Sequence, residues 1–192
     1  MQLKKRATAL TVAAMAAVLV GSAQTAAIAG ADEQFGEYNV GGRILEAFKA
    51  TGGAEKWGDP TMDEAFADKG GRFQRFDKGT SFYWKANVSN GIAHPISDPI
   101  RAKWGSLGFE RGALKFPTSN EIDAAGKGRK QLFQGGNLYT SEKSGQHPVW
   151  GGILGKYAAA GGPGKFGMPT SDEYRIGRNF AQNFEGGRLV WP

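Results

Sequence analysis

Pro169-Thr170-Ser171-Asp172-Glu173 is the clearest of three related stretches whose spacing decides the fold. The prolines of the three stretches stand 57 and then 52 positions apart, and a period of that size is typical of tandem repeats of one supersecondary unit. Residues copied in this way favour an extended binding surface over a single catalytic centre. We call these stretches the Pro-Thr motifs, and the other two are Pro60-Thr61-Met62-Asp63-Glu64 and Pro117-Thr118-Ser119-Asn120-Glu121.

A short helix is predicted upstream of each Pro-Thr motif. In every copy an isoleucine is followed four residues later by an aromatic residue, which places both side chains on one helical face. Glycines come after each pair, as is typical of helix C-termini. The three pairs are Ile44 and Phe48, Ile100 and Trp104, and Ile153 and Tyr157.

A β-hairpin is predicted downstream of each Pro-Thr motif. Aromatic and β-branched residues flank a glycine-containing turn, which is the usual signature of two antiparallel strands. A His-Pro pair follows the first two hairpins, at His94-Pro95 and His147-Pro148. The turns are Asp77-Lys78-Gly79, Gln134-Gly135-Gly136-Asn137 and Glu185-Gly186-Gly187-Arg188.

This order of parts predicts an α+β fold of three tandem helix–turn–β-hairpin repeats with pseudo-symmetry. The repeats cover about residues 41–97, 98–150 and 151–192, and residues 30–40 are predicted to be a short N-terminal tail. We expect a propeller-like arc, because each unit must bury its open face on the next. Within each Pro-Thr motif, Thr-x-x-Glu fits a helix capping box and would equally organise a tight turn.

Residues 1–29 have the pattern of a secretory signal peptide. Lys4, Lys5 and Arg6 precede an apolar run over 7–20, and Ala27-Ile28-Ala29 offers a cleavage site. The run is too short for a secure membrane span, so no span is predicted after cleavage. The protein is therefore predicted to be secreted and to be extracellular or associated with the cell wall.

The composition narrows the class of partner. Cleavage lowers the net charge from +6 to +3, and no concentrated basic face remains, which argues against nucleic acid as a partner. The chain has no cysteine, so a secreted protein of this kind must be stabilised by its core alone.

The order of parts resembles the LGFP repeat of secreted actinobacterial proteins. The resemblance rests on the Ile/aromatic helix, the Pro-Thr motif, the Phe-x-Gly-Gly hairpin and the Gly-x-His-Pro link, and it covers about residues 41–192. The third copy is the best, with Phe166-Gly167-Met168-Pro169 before Thr170 and Phe184-Glu185-Gly186-Gly187 in the hairpin. The resemblance implies attachment to the cell envelope through a polysaccharide, arabinogalactan-like or another anionic wall polymer.

The candidate ligand-binding residues are four aromatics and two histidines. Aromatic rings stack on sugar rings, and strand alternation predicts that one of Tyr83 and Trp84 is exposed. His94 and His147 suit a general base or metal ligand, but a packed histidine that fixes the turn between repeats is favoured. The full candidate set is Tyr83, Trp84, Tyr139, Trp191, His94 and His147.

The motif residues are expected to be structural. No catalytic residue, cofactor or metal site is assigned, because no nucleophile elbow, phosphate loop or metal-binding spacing is present in the sequence. The structural set is Pro60, Thr61, Glu64, Pro117, Thr118, Glu121, Pro169, Thr170 and Glu173.

The first functional hypothesis is therefore a secreted, non-catalytic module that binds envelope polysaccharide, with a weak site in each repeat. A second is a small secreted cell-wall hydrolase or esterase, in which Asp59, Asp63 and Glu64 of the divergent first repeat would be the candidate catalytic carboxylates. A third is a protein–protein module that partners a secreted enzyme or forms homo-oligomers.

Overall fold

The computed structural model describes residues 31–192, and the predicted signal peptide lies outside the described residues. The strands of the described part form four separate antiparallel sheets, and the helices lie between consecutive sheets along the chain. This confirms a fold of mixed helices and antiparallel sheets. Across residues 31–192 the strands close neither a barrel nor a propeller ring.

The first sheet in the chain is a two-stranded N-terminal hairpin, β1 (Glu33–Phe35) and β2 (Tyr38–Val40). It occupies the segment that the sequence predicts to be a tail. Val40 is buried, and the Phe35 ring packs edge-on against Phe48 with 5.0 Å between ring centres. The hairpin therefore covers the first helix.

Three helix–sheet units follow. The order of strands within each sheet is the order along the chain. The first unit contains α1 (Gly42–Ala50), α2 (Gly53–Trp57), β3 (Ala65–Phe66), β4 (Arg72–Phe76), β5 (Thr80–Trp84) and β6 (His94–Ser97). The second contains α3 (Asp98–Ser106), β7 (Ile122–Asp123), β8 (Arg129–Phe133), β9 (Gly136–Ser141) and β10 (Gly145–Trp150). The third contains α4 (Gly151–Ala159), α5 (Gly162–Phe166), β11 (Tyr174–Ile176), β12 (Asn179–Phe184) and β13 (Gly187–Trp191).

The predicted helical pairs form the centre of each core. All six side chains are at most 1% exposed, which confirms that the i, i+4 spacing marks a buried helical face. Each core also contains residues from the preceding sheet. Tyr83 and Ile96 of the first sheet pack with α3, and Tyr139 and Val149 of the second sheet pack with α4.

The Pro-Thr motifs do not begin helices, so the capping-box interpretation is wrong. The five α-helices of residues 31–192 begin after Gly41, Gly52, Ser97, Trp150 and Gly161. Each motif proline instead forms an antiparallel bridge to the phenylalanine that ends the facing strand. The following threonine donates its backbone N–H to that strand at 2.8–2.9 Å, so the motif is a short extension of the sheet.

A buried glutamine ties each motif to the sheet before it. Gln131 is fully buried, and its Nε2 donates to Pro95 O in β6 at 3.0 Å and to Ser119 O in the motif at 2.9 Å. Gln74 and Gln182 are also fully buried and make the corresponding pairs of bonds. Gln74 Nε2 donates to Asn39 O of β2. The N-terminal hairpin therefore takes the place that the preceding sheet has in the other two units.

Candidate functional site

Two of the predicted ligand-binding aromatics are buried between units. Tyr83 and Tyr139 are each 3% exposed. Tyr83 packs edge-on against Trp104 with ring centres 4.8 Å apart, and Tyr139 packs in the same way against Tyr157 at 5.5 Å. Both are therefore part of the joint between a sheet and the next helix, and neither is available to a ligand at the surface.

The other two aromatics do not form a row. Trp84 is half-buried, and its Nε1 donates to Gly91 O at 2.8 Å. Trp191 is 43% exposed, and its ring lies over Gly152 with Lys156 Nζ 5.8 Å from the ring centre. The prediction that one of Tyr83 and Trp84 is exposed is wrong, because Tyr83 packs with α3 and Trp84 packs against the core of the first unit.

The two histidines each join one sheet to the next Pro-Thr motif. His94 Nδ1 lies 2.7 Å from Asn120 Oδ1, and its Nε2 lies 2.8 Å from Ser89 Oγ. His147 Nδ1 lies 2.7 Å from Asp172 Oδ1, and its Nε2 donates to a backbone carbonyl, Ser144 O, at 2.7 Å. Both geometries agree with a histidine that fixes the turn between repeats.

The two histidine sites differ in charge. Burial lowers the pKa of His94 below its ordinary value, although the hydrogen bond to Asn120 partly offsets this effect. At the second site, burial acts to raise the pKa of Asp172, but hydrogen bonds from Lys103 and His147 outweigh burial and hold that pKa below its usual range. The first site therefore joins a histidine to an uncharged amide and a hydroxyl, and the second contains the ion pair of Lys103 and Asp172.

The three motif glutamates have different surroundings. Glu64 lies 3.7 Å from the Arg72 guanidinium, and burial nevertheless raises the pKa of Glu64. Glu173 Oε1 accepts a hydrogen bond from Trp150 Nε1 at 3.1 Å. Glu121 lines a groove between the first and second units. Asp59 and Asp63, the two remaining candidate catalytic carboxylates of the first repeat, are exposed.

This groove, which we call the first groove, has a volume of about 410 Å³, which is within the usual range of roughly 300–1,000 Å³ for small-molecule sites. Strand β6 and the end of α2 form one wall, and the second motif with the start of β8 forms the other. Its polar and aromatic lining residues include Lys56, Trp57, Ser97, Asn120, Glu121 and Arg129.

The lining combines one aromatic ring with charges of both signs. Trp57 is half-buried and is oriented by a hydrogen bond from its Nε1 to Thr51 Oγ1 at 2.9 Å. Lys56 Nζ lies 4.2 Å from the Trp57 ring centre, and Arg129 is held by a 2.9 Å bond to Glu121 O. The lining of the groove therefore combines an aromatic ring, two cationic side chains and one carboxylate.

Sequence reasoning missed this groove, because its walls come from two different units. Within residues 31–192, no group of three or more His, Asp or Glu side chains has the arrangement of a metal site. No described helix has the length and apolarity needed to cross a bilayer.

Comparison with known families gives one finding. A family model described as the LGFP repeat matches residues 58–112 and 114–164, as two tandem copies. Comparison with curated proteins gives no match for this chain. The two matched segments meet between Gly112 and Leu114, and the first groove has lining residues in both.

Proposed function

We propose, from the premise that this chain belongs to the LGFP repeat family, that it is a secreted, non-catalytic module that binds cell-envelope polysaccharide. The observation that carries this proposal is the first groove, where an oriented tryptophan is surrounded by hydrogen-bonding groups. Sugar rings present apolar C–H faces to aromatic rings and hydroxyls to polar neighbours, and the groove supplies both kinds of contact.

The charges in the groove favour a hydroxyl-rich or mildly anionic polymer. Lys56 and Arg129 are exposed cations at its rim, and Glu121 is the only carboxylate among the lining residues. A strongly acidic ligand would meet Glu121, and a strongly basic one would meet the two cations. An arabinogalactan-like polymer, or a wall polymer of low charge density, fits this balance better than either extreme.

We further propose that the repeat extends into a third copy beyond the matched segments. Residues 169–191 repeat the motif bridge between Pro169 and Phe184 and the buried glutamine, Gln182. The third copy supports the fold, and the first groove carries the binding.

Sedimentation with purified cell walls tests the binding proposal. We expect the wild-type protein to pellet with walls at low and moderate salt. Lys56→Ala combined with Arg129→Ala should reduce the bound fraction at least fivefold, because both cations face the groove. The matched control is Lys165→Ala with Arg178→Ala, which removes the same charge from exposed positions of the third unit. Wild-type protein that stays in the supernatant would refute the proposal.

Ester hydrolysis is a second candidate function, favoured by one observation. Ser89 Oγ lies 2.8 Å from His94 Nε2 and 3.2 Å from Thr118 O, and His94 Nδ1 lies 2.7 Å from Asn120 Oδ1. When the hydroxyl proton points to His94, the three side chains are connected as nucleophile, base and orienting group are in acyl-transfer enzymes. Ser89 also has a left-handed backbone with φ of 49°, a strain that is common at active sites.

The step would be ordinary acyl transfer. Ser89 Oγ would attack the ester carbonyl, and its proton would pass through His94 Nε2 to the leaving alcohol. Water would then release the acid and restore Ser89. A fluorophosphonate probe tests this: labelling that disappears in Ser89→Ala and persists in Ser144→Ala supports it, and an unlabelled wild-type protein rules it out.

A further inference from the structure

The second and third units meet in the same way as the first and second, but several residues at the two junctions differ in kind. Ser97 and Trp150 hold the same place at the end of the last strand, since Ser97 pairs with Thr80 and Trp150 pairs with Gly136. Glu121 and Glu173 likewise end the motif that faces each strand. The two junctions can therefore be compared position by position.

At the second junction, the Trp150 indole is bound to the motif carboxylate. Its Nε1 donates to Glu173 Oε1 at 3.1 Å, and the half-buried ring packs against the core that contains Leu114. The flat Trp150 indole, with its N–H bonded to Glu173, thus occupies this junction. At the first junction Ser97 is too short to reach across, and Glu121 faces the open groove.

A second exchange accompanies the first. Trp57 precedes Pro60 by three positions, and Leu114 precedes Pro117 by three, so leucine stands at the second junction where tryptophan stands at the first. The smaller Leu114 leaves room for Trp150, and the larger Trp57 forms a wall of the open groove. Neither cation of the first groove has a counterpart at the second junction, because Ala113 and Phe180 correspond to Lys56 and Arg129.

We infer that one sugar ring of the polysaccharide occupies the first groove in the place that the Trp150 indole takes at the second junction, with a ring hydroxyl donating to the Glu121 carboxylate. The residue at the end of the last strand, Ser97 or Trp150, then decides whether a junction binds glycan. The inference rests on the proposed function. The first hypothesis gives every repeat a weak binding site. This inference instead places one open site at the first junction and a closed one at the second.

The experiment copies the second junction onto the first. Trp57→Leu with Ser97→Trp should fill the groove with an indole that binds Glu121, and Glu121→Ala should remove the carboxylate alone. Binding to purified cell walls and to arabinogalactan-derived oligosaccharides is measured for both. We expect at least a tenfold loss for the double variant and at least a fivefold loss for Glu121→Ala. Glu173→Ala is the matched control, and it should bind within twofold of wild type.

The outcomes separate the two proposals. If wild-type protein binds neither probe, the proposed function fails. If wild type binds and both groove variants bind within twofold of it, this inference fails and the proposed function stands. A thermal melt checks that each variant is folded, and Glu121→Ala alone decides the matter if the double variant does not fold.

Discussion

Replacing Gln131 by leucine tests the main polar contact between units. The Gln131 side chain is fully buried, and its Nε2 donates to Pro95 O of one sheet and Ser119 O of the next motif. Leucine has a similar size and fills the same space. The substitution therefore removes two hydrogen bonds and leaves two carbonyl oxygens facing an apolar side chain.

The magnitude follows from these two bonds. Each buried bond contributes about 1 kcal/mol net, and a buried group left without a partner costs about 1–3 kcal/mol. Removing the desolvated Gln131 Oε1 offsets a part of this cost. We expect the free energy of unfolding to fall by about 2–4 kcal/mol for Gln131→Leu, a large share of the roughly 5–15 kcal/mol that stabilises an ordinary domain.

Urea denaturation measures the effect and separates its cause. A slope of about 2 kcal/mol per molar urea, in the middle of the usual range, converts the loss into a midpoint lower by about 1–2 M. Gln131→Glu keeps the shape but turns a carboxylate oxygen towards two carbonyls, which repels them. Its loss should therefore be larger at pH 7 than at pH 5, where a proton can return one donor. The loss for Gln131→Leu should not depend on pH.

The control is Gln146→Leu, the same substitution at a half-buried position. Gln146 makes one long side-chain bond of 3.4 Å, to Thr140 Oγ1, so its replacement should change stability by less than about 0.5 kcal/mol. If Gln131→Leu is as stable as Gln146→Leu, the buried glutamine does not hold the units together and the reasoning is wrong.

Three further predictions concern pH and the N-terminal hairpin. Burial lowers the pKa of His94 below 6.5. The folded protein should therefore lose stability as pH falls below about 6.5, because the unfolded chain takes up a proton that folded His94 resists. Asn120→Asp should raise the pKa of His94 and make this loss smaller, which urea midpoints at pH 7.5 and 5.5 would measure. The pKa of Asp172 is held below 3.8 in the folded protein. The ionised Asp172 therefore stabilises the fold above that pH, and this effect is lost as pH falls through the folded pKa. Asp172→Asn should lower the urea midpoint at pH 7 and remove this acid-dependent step from a pH titration of stability. Phe35→Ala should cost about 2 kcal/mol by thermal or urea unfolding, since it removes the ring that packs on Phe48; an unchanged midpoint would show that the hairpin is not part of the core.

The sequence could predict those features that are set by local patterns. Ile100 and Trp104 lie on one helical face whatever surrounds the helix. The glycine-containing turns likewise favour β-hairpins from local sequence alone. The same patterns failed where the partner comes from another unit. Alternation predicts that one of Tyr83 and Trp84 is exposed, but the α3 helix of the next unit covers Tyr83, and Trp84 is half-buried against the first core.

The buried glutamines illustrate a different difficulty. Gln74, Gln131 and Gln182 each stand two residues before the phenylalanine that ends the strand, so a repeated Gln-x-Phe was visible in the sequence. A polar residue in an alternating strand is normally taken to face solvent. Only the facing carbonyls of the preceding sheet explain why these three side chains are buried, and no local pattern contains them.

The N-terminal hairpin shows that the structural unit is offset from the repeat read in the sequence. Phe35 pairs with Tyr38 as Tyr83 pairs with His94, and Phe35 contacts Phe48 as Tyr83 contacts Trp104. The packed unit thus consists of the last two strands of one sheet, the next helix and the following hairpin. For α1, the N-terminal hairpin supplies these two preceding strands. A binding site formed where units meet belongs to no single repeat, and for this reason the first groove depends on Trp57 and Ser97 of the first repeat and on Glu121 of the second.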